Sequence, residues 1–204
     1  MSYYKQFDKI YKDIYSSLDT SKLPEKYLNI KQLYNRFLNR LEMIKNKGLV
    51  SGLDFGCGVG GTSVLGKLMG LDIWGLDIPY FDKRHSQGEI NPYFIVQKEL
   101  KKMGYNMINM DTSIFPWGEF RDDQFQFLLA FNSLDDDYSS NHNTNHVSFK
   151  RRSMINRMSE ILRIMHKDSI WLVGSTHKYR ALLKSEFHKD QISKTDIDIK
   201  LWRK

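Results

Sequence analysis

The chain has 204 residues, of which 41% are hydrophobic and 27% are charged. This length supports one domain with a substantial core, and this composition excludes a disordered or collagen-like chain. No stretch approaches the ~18 consecutive apolar residues of a membrane span, and the N-terminal residues lack the apolar segment of a secretory signal. The single cysteine, Cys57, excludes a disulfide framework and a multi-cysteine zinc site. We therefore expect a globular, cytoplasmic protein.

The net charge of +7 is unevenly distributed. Residues 1–48 contain 10 Lys and Arg against 5 acids, residues 49–145 contain 7 against 13, and residues 146–204 contain 14 against 6. Basic flanks of this kind attract anionic partners such as RNA, a nucleotide sugar or a lipid headgroup. Because the basic residues alternate with acids, the simpler interpretation is a solvated, lysine-rich surface.

Residues 1–48 are predicted to form an N-terminal helical cap. Apolar residues recur at helical spacing in two segments, Tyr4, Phe7, Ile10, Tyr11, Ile14 and Tyr34, Phe37, Leu38, Leu41, Ile44. Leu23-Pro24 separates the two helices, and Gly48 ends the second. The aromatic face of the first helix is interpreted in two ways, as a lid over a ligand or as a surface packed on the rest of the chain.

From residue 49 onward, short apolar runs alternate with helical stretches. The predicted strands are Leu49–Phe55, Ile73–Leu76, Asn106–Met110, Phe125–Phe131 and Ile170–Val173, with a final edge strand near Ile197–Trp202. The predicted helices lie near 61–69, 91–103, 147–166 and 177–187. This alternation predicts an α/β domain over 49–204, with a mostly parallel central sheet covered by helices on both faces.

A glycine-rich segment over 53–62 ends the first strand and opens the following helix. Gly56, Gly58 and Gly61 satisfy the dinucleotide pattern G-x-G-x-x-G, which is weak by itself. Asp54, however, precedes the first glycine by two residues, and its carboxylate would repel a pyrophosphate. An acid at this point suits a ligand that carries an ammonium group.

These residues resemble the first motif of the class I S-adenosylmethionine-dependent methyltransferases. Further segments match that family in order: Trp74–Ile78, Met107–Thr112, Phe115–Trp117 with Asp123–Phe131, and Glu160–Lys167. The resemblance covers about residues 49–175 and implies a Rossmann-like methyltransferase fold with S-adenosylmethionine as cofactor. The sequence departs from the family at Gln126, where Asp is frequent, and at Asp168-Ser169, where a Pro-Gly-Gly turn usually precedes the fifth strand.

The resemblance also implies roles for individual residues. Asp54 would hold the methionine ammonium, the glycine loop would let the cofactor approach the backbone, Asp77 would bind the ribose, and Asp111 with Thr112 would bind the adenine. The complete predicted cofactor set is Asp54, Phe55, Gly56, Cys57, Gly58, Gly60, Asp77, Ile78, Asp111, Thr112 and Asn132.

An oxygen or nitrogen acceptor often needs a base to remove its proton. Candidates follow the fourth strand: Asp135, Asp136, Asp137, His142 and His146. We choose His146 as the candidate base because it lies at the start of a predicted helix. Alternatively, these residues form a solvated loop. Although His142 and His146 have a metal-like spacing, we expect no metal site, since no Glu is nearby.

The sequence therefore predicts methyl transfer to an oxygen or nitrogen atom of a small metabolite or sugar. Trp117 and Tyr80 are expected to line the acceptor pocket. The alternatives are an RNA or protein methyltransferase that uses the basic flanks, and a non-catalytic S-adenosylmethionine-binding subunit that pairs through its N-terminal helices. A nucleotide-dependent oxidoreductase is disfavoured because the only Tyr-x-x-x-Lys pair, Tyr27 and Lys31, precedes the glycine loop.

Overall fold

A computed structural model describes residues 2–77, 92–110, 115–130, 147–173 and 200–203. The helices are α1 (Tyr3–Ser16), α2 (Glu25–Leu28), α3 (Ile30–Asn46), α4 (Gly61–Leu68), α5 (Pro92–Lys102) and α6 (Val147–Ile164). The strands are β1 (Ser51–Phe55), β2 (Asp72–Asp77), β3 (Met107–Asn109), β4 (Phe125–Ala130), β5 (Met165–Val173) and β6 (Lys200–Arg203). Within the described residues, no helix has both the length and the apolar character needed to cross a membrane.

The strands form one sheet in the order β3-β2-β1-β4-β5-β6. The first five strands are parallel to their neighbours, and β6 pairs with β5 in the antiparallel direction. This arrangement confirms the predicted Rossmann-like α/β fold. The strand order reverses between β1 and β4, and the carboxyl edge at such a reversal is where ligands bind in open α/β sheets.

Alternating residues of β4 supply two separate cores. Phe127 and Leu129 pack with helices α1, α3, α4 and α5 on one face of the sheet. Leu128 and Ala130 pack on the other face with α6 and with residues from the 115–120 segment. Successive side chains of a strand point to opposite faces, and the continuous apolar run of β4 therefore covers both.

The N-terminal helices belong to the first of these cores. Phe7 and Tyr11 of α1 and Leu41 of α3 have 0% exposure and share a cluster with Val64 and Leu65 of α4. The structure thus confirms the packed interpretation for Phe7 and Tyr11. The division of the chain into a cap over 1–48 and a domain over 49–204 stays a prediction.

Two sequence expectations are wrong. Asp168-Ser169 is not a turn before β5 but lies inside that strand, at an irregularity where the pairing register shifts. Ser169 is buried, and its hydroxyl accepts a hydrogen bond from the Trp171 indole at 2.9 Å. Trp117 does not line a pocket, because it is fully buried against the Phe55 and Phe115 rings. Tyr80 and the predicted helix 177–187 lie outside the described residues.

Candidate functional site

The glycine loop connects β1 to α4 at the carboxyl edge of the sheet. Gly56, Gly58 and Gly60 have φ angles of 77°, 54° and 74°, a region that favours glycine. The N–H groups of Gly56 and Cys57 donate to the Leu76 carbonyl at 2.7 and 3.2 Å. These bonds fix the loop against the end of β2.

Asp77, at the end of β2, is connected directly to the loop. Its Oδ2 accepts a hydrogen bond from the Gly58 N–H at 2.8 Å. The Gly60 N–H in turn donates to the Cys57 carbonyl at 2.9 Å. A phosphate-binding loop needs such N–H groups for the ligand, whereas here they already have partners within the chain. The N–H groups of Gly56, Cys57, Gly58 and Gly60 are therefore not available to a phosphate.

Asp54 lies beneath the loop with only 5% of its surface exposed. Its side chain accepts a hydrogen bond from the Thr62 hydroxyl of α4. Burial is the main cause that raises the pKa of Asp54 to about 7; the Thr62 hydrogen bond opposes it, the Asp77 carboxylate adds to it and Arg40 opposes it. A cationic ligand would offset this penalty on the ionised carboxylate. Two acids, Asp54 and Asp77, thus make the site suited to a positively charged group.

Gln97 joins Asp77 and the loop from the side of α5. It is completely buried. Its Nε2 donates to the Gly58 carbonyl and, at 3.3 Å, to Oδ2 of Asp77. Its Oε1 accepts a hydrogen bond from Nδ2 of Asn109, on β3. The sequence analysis missed both residues. The available signal was a glutamine inside the apolar stripe of a predicted helix.

Two tyrosines connect the N-terminal helices to the loop. The buried Tyr11 hydroxyl donates to the Val59 carbonyl at 2.8 Å. The Tyr27 hydroxyl is 3.4 Å from the position that a Cβ on Gly58 would occupy, and its ring makes an edge contact with Tyr93, with centroids 4.9 Å apart. These tyrosines were also missed, because helical spacing identifies a buried face and not the partner of a hydroxyl.

Three predicted site residues, Phe55, Cys57 and Gly60, make close contacts with the hydrophobic cores. The Phe55 ring stacks on Trp117 in the second core, with centroids 5.9 Å apart. Burial raises the pKa of the Cys57 thiol well above its ordinary value, and the neutral thiol is a poor nucleophile. A Cβ on Gly60 would lie 2.8 Å from Cδ1 of Leu100 and 2.9 Å from Cε of Met107. Their predicted cofactor contacts stay predictions.

The structure brings together seven of the predicted site residues, Asp54, Phe55, Gly56, Cys57, Gly58, Gly60 and Asp77. Ile78, Asp111, Thr112, Asn132 and the candidate base His146 lie outside the described residues. One departure from the methyltransferase pattern is explained: Oε1 of Gln126 accepts hydrogen bonds from the backbone N–H groups of Val50 and Ser51 at 2.8 and 3.2 Å, so this side chain has a structural role at the start of β1.

Comparison with known proteins returned matches among solved structures. No protein-family model and no curated protein matches the chain. A protein of Pyrococcus horikoshii OT3 is 21% identical, with 85% of this chain and 71% of that chain covered and a TM-score of 0.49. A putative S-adenosylmethionine-dependent methyltransferase of Methanococcus maripaludis is 17% identical, with 80% and 72% covered and a TM-score of 0.45.

A third solved structure is an amino pentose methyltransferase of Micromonospora echinaspora with S-adenosylmethionine bound. It is 14% identical, with 71% of this chain and 51% of that chain covered and a TM-score of 0.43. In strand order and direction, the present chain has the Rossmann-like fold predicted from the resemblance to class I methyltransferases.

Proposed function

We propose that the chain is an S-adenosylmethionine-dependent methyltransferase that acts on an oxygen or nitrogen atom of a small acceptor. The observation that carries the proposal is the pairing of a glycine loop with two carboxylates, Asp54 beneath the loop and Asp77 bonded to the Gly58 N–H at 2.8 Å. Two carboxylates at such a loop fit a cofactor that has an ammonium and a ribose better than one that has a pyrophosphate.

Each residue of the site would bind a different part of the cofactor. Asp54 would hold the methionine ammonium, directly or through water, because nearby positive charge offsets the cost of ionising a buried carboxylate. Asp77 would accept hydrogen bonds from the ribose hydroxyls. The left-handed conformations of Gly56 and Gly58 allow a ligand to lie against the main chain. Asp111, Thr112 and Asn132 would complete the site through adenine and methionine contacts.

When bound, S-adenosylmethionine supplies a methyl group whose bond to the sulfonium sulfur breaks as its bond to the acceptor atom forms, leaving a neutral thioether. The protein must align the acceptor and exclude water, and such positioning contributes roughly 7–11 kcal/mol to catalysis in favourable cases. His146 is the residue that we propose to take the acceptor proton.

Substitution at Asp77 tests the proposal. Asp77→Asn should weaken binding of S-adenosylhomocysteine by about 1.5–3 kcal/mol, since hydrogen bonds to a charged group are lost. The matched control is Asp72→Asn at the opposite end of the same strand, where Asp72 is exposed and accepts a hydrogen bond from Asn106 at 2.6 Å. Calorimetric titration of both variants provides the measurement. Equal affinity in the two variants would refute the role of Asp77.

A further inference from the structure

Gln97 has a polar environment that matches an amide in both directions. Its Nε2 faces three acceptors, the Gly58 carbonyl, Oδ2 of Asp77 and, at 3.7 Å, Sγ of Cys57, while its Oε1 faces a donor, Nδ2 of Asn109. A carboxylate has no N–H to donate, and an apolar side chain has neither group. The chemistry of this position is therefore specific to an amide.

The position of Gln97 in its helix is otherwise apolar. Val96 and Leu100 of α5 have 0% exposure and belong to the first core, and Tyr93 packs against that core. A buried polar group without partners is destabilising, whereas a fully bonded one fixes a single arrangement of its neighbours. The hydrogen bonds of Gln97 thus restrict the conformation of the glycine loop, which an apolar side chain of the same size would not do.

Gln97 and Asp77 together hold the residue 58 peptide from both sides. The Gly58 N–H donates to Asp77 at 2.8 Å, and the Gly58 carbonyl accepts from Gln97. Gln97 also donates to Asp77 at 3.3 Å. Each of the three groups, the Gly58 peptide, the Asp77 carboxylate and the Gln97 amide, is therefore hydrogen-bonded to the other two. We propose that Gln97 is a positioning residue of the cofactor site, which holds the Gly58 peptide and the Asp77 carboxylate in the arrangement that receives the ligand. The identity of that ligand rests on the proposed function.

A double-mutant cycle in the full chain tests this role. Gln97→Met preserves side-chain length and helix propensity but removes the amide. We expect it to weaken S-adenosylhomocysteine binding by about 10-fold, while Lys98→Met, at an exposed position of the same helix, leaves binding unchanged. Because Gln97 bonds Asp77 and also holds the Gly58 peptide that Asp77 bonds, the two losses should overlap, and the double variant Gln97→Met/Asp77→Asn should bind more tightly than the product of the two single losses predicts. Independent losses that multiply would overturn the proposal.

A second readout needs no ligand. In the amide ¹⁵N–¹H spectrum of the free protein, Gln97→Met should shift the Gly58 resonance and leave the resonances of α6 in place. Gln97→Leu, which also removes the amide, should do the same and serves if Gln97→Met does not fold. An unmoved Gly58 resonance in a folded variant overturns the proposal. A shifted Gly58 resonance in a chain that binds no S-adenosylhomocysteine supports the positioning role and refutes the proposed function instead.

Discussion

Asp54 is ionisable at a position that penalises its charge. It is 5% exposed, and burial raises its pKa to about 7, above the 3.8 of an unperturbed carboxyl. Between about pH 4 and pH 7 the unfolded chain releases this proton while the folded chain retains it. The unfolding free energy therefore falls as the pH rises through this window, and the full penalty is present above it. Groups with such penalties are characteristic of functional sites.

Asp54→Asn should remove the pH-dependent penalty, since an amide resembles the protonated carboxyl and still accepts from Thr62. We expect the unfolding free energy of the variant to exceed that of the wild type by about 2–4 kcal/mol more at pH 8 than at pH 5. Urea unfolding of the ligand-free protein at the two pH values measures this difference. An advantage that does not change with pH would show that Asp54 is ionised throughout.

Gly60 combines a left-handed backbone with close packing. Its φ is 74°, and Gly70 has a similar φ of 84° but nothing within 4 Å of a built Cβ. Gly70→Ala therefore reports the backbone penalty alone, about 1 kcal/mol, whereas Gly60→Ala should lose about 1–3 kcal/mol more through overpacking against Leu100 and Met107. Chemical denaturation of the two variants gives the comparison. Equal losses would mean that the core adapts freely at this point.

At the scale of elements, α1 is attached to the glycine loop by one hydrogen bond. The Tyr11 hydroxyl reaches the Val59 carbonyl at 2.8 Å from within the first core. A different element, β2, holds the loop through Leu76 and Asp77. The N-terminal helix is thus part of the framework that shapes the loop.

Tyr11→Phe should destabilise the chain by about 1 kcal/mol, because the buried Val59 carbonyl loses its donor. We also expect S-adenosylhomocysteine to bind several-fold more weakly, since the loop gains freedom. The control is Tyr4→Phe on the same helix, which keeps the ring contact with Tyr34. Thermal unfolding and ligand titration check the two effects. Unchanged affinity together with lowered stability would limit Tyr11 to a packing role.

The elements with clear periodicity were predictable from sequence. The strand near Phe125–Phe131 and the helix near 61–69 appear as β4 and α4 with nearly the same bounds. The start of β5 was not predictable from sequence, because Asp168-Ser169 has the composition of a turn. Only the pairing with β4 extends the strand through these two residues. The single turn of α2, after Pro24, is also too short to produce a periodic signal.

At the scale of the whole molecule, one sheet places the acids of two different strands at one edge. Asp54 and Asp77 are far apart in sequence but lie at the ends of β1 and β2, which pair in parallel register. The resemblance to class I methyltransferases had assigned both acids to one cofactor site. It did not predict Gln97 and Asn109, whose contact depends on how α5 packs across β3, and long-range side-chain pairing leaves no local pattern.

The measurement that tests the central claim most directly is calorimetric titration of the full chain with S-adenosylhomocysteine, with NAD as the control ligand. Our account predicts micromolar binding of S-adenosylhomocysteine and no heat from NAD, because the Asp54 and Asp77 carboxylates at the loop oppose a pyrophosphate. Binding of NAD in place of S-adenosylhomocysteine, or of neither ligand, would contradict it.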